Sequence, residues 1–108
     1  MLDIIENEPK QFQLVLLAII LLDEEKRHSK IFTGDIYNKY QEVCEKTNNE
    51  TLTQRRISDI IAEFDMLGLI NAKVISKGRQ GRTREIKLML SQNIKGKAKE
   101  ILGGSLAL

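Results

Sequence analysis

The stretch Leu52–Met89 restricts the fold more than any other part of this chain. It reads LTQRRISDIIAEFDMLGLINAKVISKGRQGRTREIKLM, in which helical periodicity gives way to strand alternation across one glycine, Gly68. Ile57, Ile60, Ile61, Phe64 and Leu67 recur at helical spacing and predict one apolar face. Thr53 is placed to cap that helix, with Leu52 just ahead of it, and Gly68 to end it in a left-handed turn. Ile70, Ala72 and Val74 then alternate as one strand, and Ile86, Leu88 and Leu90 as its partner. The segment SKGRQGRT between them has two glycines, which let a loop bend sharply. The prediction is a helix, a tight turn and a hairpin with a basic tip.

The other elements can be read around that unit. Residues 1–8 are expected to be a lead-in, a linker remnant of a neighbouring domain, and Pro9 suits the first turn of a helix. From Lys10 to about Leu22 almost every position after Gln13 is apolar, so this first helix should be central and covered on several sides. Asp23–Lys30 reads as a charged connection, and Lys30–Phe32 as a short strand completing a small sheet. Thr33 is the expected N-cap of the second helix, with Asp35 near its positive end. Ile36, Tyr37, Tyr40, Val43 and Cys44 form its apolar stripe, and Thr47–Glu50 should turn the chain. Ser91 is expected to cap a last helix bearing Ile94, Ala98, Ile101 and Leu102. Gly96 weakens that helix by about 1 kcal/mol relative to alanine, Gly103-Gly104 should end it, and residues 103–108 should form a flexible tail. The order predicts a mainly α fold with a small β hairpin. It is a winged helix-turn-helix over residues 9–102, with a three-helix core, a β wing and a C-terminal helix.

Composition matters mainly through its distribution. The net charge is only +2, yet Lys73–Lys87 contains six basic residues against one acid, so that segment carries +5 and the rest of the chain −3. A basic hairpin on an otherwise acidic protein suits a polyanion. Cys44 stands alone, which excludes an internal disulfide and a cysteine-rich zinc cluster, and it continues an apolar stripe. The apolar run Leu14–Leu22 is nine residues long, whereas a membrane span needs about 20. No basic region and cleavage site flank it as in a signal peptide, so the expected location is the cytoplasm, on the nucleoid. His28 has no second histidine or cysteine nearby and reads as a surface residue. Tyr37 and Tyr40 read as packing, and Glu24, Glu25, Glu42 and Glu45 have no arrangement for acid–base chemistry. With no phosphate-binding glycine loop and no nucleophile motif, the chain reads as a non-enzyme.

On the third helix, at about 100° per residue, Arg55, Asp59 and Ala62 point away from the apolar face while Arg56 and Ser58 flank it. Its first half therefore presents Gln54, Arg55, Arg56, Ser58 and Asp59 outward, ahead of a basic wing. A major groove admits one helix, and an arginine fork can donate to guanine O6 and N7 together. Gln54 suits adenine; Thr53, Ser58 and the helix N-terminus suit phosphates; Asp59 suits cytosine or the orientation of Arg55. Arg79 and Arg82 at the wing tip suit a backbone or a narrow minor groove. Either feature alone is more often a solvated charged surface. Together and in this order they favour duplex DNA.

The segments QLVLLAIILL, FTGDIYNKY and LTQRRISDIIAEFDMLGLINAKVISKGRQGRTREIKL resemble the C-terminal winged-helix domain of the archaeal origin-recognition and cell-division-control initiator family. The resemblance runs from about Gln13 to Leu88, and LTQRRISDII, FDMLGLI and GRQGRTREI are its most specific parts. It implies sequence-selective binding of double-stranded origin DNA to begin replication, with the recognition helix in the major groove and the wing in the minor groove. Thr53, Gln54, Arg55, Arg56, Ser58 and Asp59 match the reading helix, and Lys77, Gly78, Arg79, Gln80, Gly81, Arg82 and Thr83 the wing, with Arg84 following. In that family the domain follows an ATPase core, where ATP and magnesium belong. This chain lacks the core, so no cofactor is expected here, and an excised, monomeric fragment is favoured over a reduced paralogue. The alternatives are a stand-alone winged-helix transcription regulator, which would need a dimer to span two half-sites, and a docking module for the replicative minichromosome maintenance helicase.

Overall fold

The computed structural model describes residues 10–25, 30–76 and 82–105, the side chains of Ser76, Arg82 and Ser105 excepted. The expected linker remnant, Pro9, His28, the wing tip Lys77–Gly81 and the end of the tail lie outside the described residues. In chain order the elements are α1 (Lys10–Glu25), β1 (Ile31–Phe32), α2 (Thr33–Thr47), α3 (Gln54–Met66), β2 (Ile70–Ser76), β3 (Arg82–Leu88) and α4 (Gln92–Ser105). These are the helices, small sheet and hairpin of a winged helix.

Every residue of α1 from Gln13 to Ile20 is buried, and Leu22 with them. A helix apolar all round needs cover on every side, and α2, α3, α4 and β3 all pack against it. Phe12 meets Phe64 of α3 edge to face, with ring centroids 5.6 Å apart. The helix continues to Glu25, past the expected boundary, because its last three residues find partners on other helices. Asp23 pairs with Lys95 and Glu24 with Lys99 on α4, at 2.9 and 3.0 Å, and Glu25 pairs with Lys39 on α2. The hydrogen bond from Glu25, with Glu42 adding to it, raises the Lys39 pKa despite partial desolvation.

The three strands run antiparallel in the order β1-β3-β2. Ile31 lies opposite Ile86, and Ile86 lies opposite Ala72, so the sheet turns a continuous apolar row toward the helices. The hairpin register is unbroken from Ile70↔Leu88 to Ser76↔Arg82. Leu90 lies beyond β3 but still packs against the core. Gly68 takes φ +79°, the left-handed turn expected of it. Leu67, assigned from periodicity to the apolar face, is 45% exposed, while Leu69 is 3% exposed. The helix has already ended at Met66, so the core position passes to the residue after the glycine turn.

Two capping expectations hold and one is corrected. The Thr53 hydroxyl accepts from Arg56 N at 3.3 Å, and the Ser91 hydroxyl from Ile94 N at 3.2 Å. Thr33 does not cap α2. The cap residue is Phe32, whose N–H donates to Asp35 Oδ2 at 2.9 Å, and Thr33 instead donates its hydroxyl to Arg84 O on β3 at 3.4 Å. Strand pairing holds Phe32 extended opposite Glu85, so the helix can begin only at the next residue. At the other end of the chain, α4 continues through Gly103 and Gly104 to Ser105 instead of stopping at the glycine pair. Ala98 and Leu102 are fully buried, and that packing outweighs the weak helix propensity of glycine.

Candidate nucleic-acid interface

The link between α2 and α3 is longer than a usual helix-turn-helix turn, and the structure ties it down with side chains. Asn48 closes α2 in the left-handed conformation (φ 56°, ψ 45°), and Asn49 N donates to Cys44 O at 2.8 Å. Two tyrosine hydroxyls then grip Leu52. Tyr37 donates to Leu52 O at 3.0 Å, while Tyr40 accepts from Leu52 N at 2.8 Å and donates to Gln11 Oε1 at 2.6 Å. Gln11 in turn donates through Nε2 to Glu50 O at 3.1 Å, so α1 joins the same latch. The segment leading into Thr53 is thus fixed at both its donor and its acceptor groups. The tyrosines do pack, as expected, but their hydroxyls set where α3 begins.

From that start α3 buries Ile57, Ile60, Ile61 and Phe64 and leaves Gln54, Arg55, Arg56 and Asp59 exposed, with Ser58 half-buried beside them. All the described positions expected to read bases therefore lie on the free side of the helix. Among the described residues Arg55 and Arg56 make no ion pair, and none joins Arg55 to Asp59. The first turn of α3 contains no acid. Two cations beside the positive end of a helix dipole are locally unfavourable by about 0.3–1 kcal/mol each. An external anion would remove that penalty.

Arg82 begins β3, and its side chain, like Lys77–Gly81 as a whole, lies outside the described residues. Thr83 and Arg84 are described and half-buried. They face α3 across an open groove of about 480 Å³ lined by Thr33, Gly34, Gln54, Ser58, Val74, Thr83 and Arg84. Among the described residues no carboxylate lines it. The structure thus brings Gln54 and Ser58 of the reading helix together with Thr83 and Arg84 of the wing around one groove. Thr33, Gly34 and Val74 belong to the same groove and were not legible from periodicity. Val74, the third residue of the alternating row Ile70, Ala72, Val74, is 59% exposed. Its register partner is Arg84. Among the described residues no group of acids, histidines or cysteines could hold a metal ion, and no helix is long and apolar enough to cross a membrane.

Comparison with known proteins places this geometry in a context. The sequence model of the CDC6 C-terminal winged helix domain matches residues 3–98. An ORC1-type DNA replication protein of Pyrococcus furiosus is 56% identical over 86 residues, covering 80% of this chain and 20% of that protein. A counterpart in Halobacterium salinarum is 48% identical, over 80% of this chain and 16% of its own length. The chain therefore spans about one fifth of the curated relatives it matches. The structure of the Aeropyrum pernix ORC1 protein in complex with DNA superposes with a TM-score of 0.82 at 35% identity, covering 95% of this chain and 26% of that one. Drosophila ORC bound to DNA superposes with a TM-score of 0.72 at 15% identity over 90% of this chain, a likeness of fold alone.

Proposed function

The chain belongs to the family of CDC6 C-terminal winged helix domains, and from that premise we propose that it binds double-stranded DNA sequence-selectively at replication origins. It does so as the DNA-binding part of an archaeal replication initiator, without catalysis of its own. The observation that most supports this is the first turn of α3. Arg55 and Arg56 stand exposed there, against the helix dipole and with no carboxylate partner among the described residues. Phosphates and guanine edges are acceptors that turn this local penalty into affinity. Gln54, Ser58 and Asp59 present further donors and acceptors on the same side, and Thr83 and Arg84 continue the surface onto the wing. The DNA-bound ORC1 relative has the same fold. In this reading α3 enters the major groove, and Lys77, Gly78, Arg79, Gln80, Gly81 and Arg82 reach the adjacent minor groove.

The test is fluorescence anisotropy with origin-derived and scrambled duplexes at two salt concentrations. A preference of tenfold, about 1.4 kcal/mol, that persists at the higher salt is expected for base or shape readout by this domain. Equal affinities that both collapse with salt would instead indicate a phosphate-holding or helicase-docking module. Replacing Arg79 and Arg82 with alanine should lower the dependence of log K on log salt by about 0.9 for each phosphate contact removed. An unchanged slope would remove the wing from the interface.

A further inference from the structure

We propose that Asp65 is a positioning residue that aims the wing relative to the reading helix. The inference rests on the proposed DNA-binding reading and gives a role to the FDMLGLI segment (64–70), which the interface leaves unused. α3 and the wing can engage one duplex together only if the angle between them is held. Support for the hairpin runs out toward the wing. β1 pairs with Ile86 and Glu85, and β2 is an edge strand, so among the described residues β3 from Arg84 outward has β2 as its one strand neighbour. A two-stranded ribbon is marginal by itself and strongly twisted.

Two side chains hold this ribbon at its base, one on each edge. Thr33 follows β1 directly, and its hydroxyl donates to Arg84 O at 3.4 Å, at the level where one more strand residue would have paired. On the other edge Asp65 Oδ1 accepts from Ala72 N at 3.1 Å, as a further strand would have done. Ala72 lies opposite Ile86, just before the third strand gives out, so the bond ties the end of α3 to the root of the ribbon. Nothing else favours an acid at this position. Asp65 lies in the last turn of α3, at the negative end of the helix dipole, and that turn contains no base. Among the described residues it makes no ion pair. It is also exposed, on a domain proposed to meet a polyanion. By charge alone this carboxylate opposes both the helix and the DNA, and the bond to Ala72 is what it contributes.

The experiment measures affinity for a labelled origin-derived duplex by anisotropy in wild type, Asp65→Ala and Asp65→Asn. Each is made alone, with Arg79→Ala plus Arg82→Ala, and with Arg55→Ala. Amide hydrogen exchange at Ala72 is followed in the free proteins. Asparagine keeps an oxygen that can accept from Ala72 N and removes the charge, whereas alanine removes both. Charge alone would make both variants bind more tightly than wild type. The positioning role predicts opposite signs. Asp65→Ala should bind about fivefold more weakly, and Asp65→Asn at least as tightly as wild type. The loss in Asp65→Ala should vanish when Arg79 and Arg82 are already alanine and persist beside Arg55→Ala. Exchange at Ala72 should be slow in wild type and Asp65→Asn and fast in Asp65→Ala. An Asp65→Ala protein that binds as tightly as wild type, or loses equally in both arginine backgrounds, would overturn the proposal. So would exchange at Ala72 that Asp65→Ala leaves unchanged. Failure of the wild type to bind any duplex would refute the DNA-binding reading itself, a result distinct from these because it appears before any variant is made.

Discussion

Tyr40→Phe tests how the structure positions its reading helix. Tyr40 is fully buried, and its hydroxyl makes two bonds, accepting from Leu52 N at 2.8 Å and donating to Gln11 Oε1 at 2.6 Å. Phenylalanine keeps the ring packing and removes both. Two hydrogen bonds at about 1 kcal/mol each, with part of the desolvation penalty of a stranded Leu52 N–H, give a loss of about 2–3 kcal/mol. Gln11 is half-buried and can turn toward water, so its share is small. For a domain of this size the loss corresponds to a fall in Tm of roughly 10–20 °C. Differential scanning calorimetry measures it, with Tyr37→Phe as a comparison, since Tyr37 has the single Leu52 O bond at 3.0 Å. A Tyr40→Phe protein melting within about 3 °C of wild type would refute the latch. The same group predicts a pH effect. Burial pushes the Tyr40 phenol up from 10.0 to about 12. The folded state thus holds this proton more tightly than the unfolded state, and stability is lost as pH rises from about 10 toward 12. Absorbance at 295 nm should show one tyrosine ionising late, together with unfolding, and Tyr40→Phe should abolish that part of the alkaline loss.

Three further outcomes follow from the contacts described. Asp23→Ala strands the largely buried Lys95 ammonium and should cost about 1–2 kcal/mol after allowance for partial solvent access, whereas Lys95→Met should be close to neutral in urea unfolding. Gly68→Ala meets no neighbour within 4 Å, so its cost of about 1–2 kcal/mol is purely that of holding φ near +79°, and a urea midpoint unchanged from wild type would contradict it. Arg55→Ala should lower affinity by about 1–3 kcal/mol and relax discrimination at one base pair when single-position duplex variants are titrated. A uniform loss across all duplexes would make Arg55 a phosphate contact instead.

Much of this architecture is local in origin and so was legible in the chain itself. The caps Thr53 and Ser91, the left-handed Gly68, the apolar stripe Ile57–Phe64 and the alternating strands follow from backbone sterics and the fixed periods of helix and strand. The same periods placed Gln54, Arg55, Arg56 and Asp59 on the open side of α3, where the structure has them. What sequence could not decide depended on which distant residue occupies a site first. Thr33 looks like a cap by composition, but pairing of Phe32 with Glu85 extends the strand and shifts the cap back one residue. Leu67 fits the helical period, yet the helix stops and Leu69 takes its place in the core. Lys95 lies outside the predicted stripe of Ile94, Ala98, Ile101 and Leu102, yet Asp23, 72 positions earlier, meets it across α1 and α4. The groove around Gly34 is formed by residues from α2, α3, β2 and β3, which no periodicity connects. Periodicity determines which face of an element is apolar, because that is a property of neighbouring residues. Partners, caps and grooves are decided by packing, because they depend on which elements the folded chain brings together.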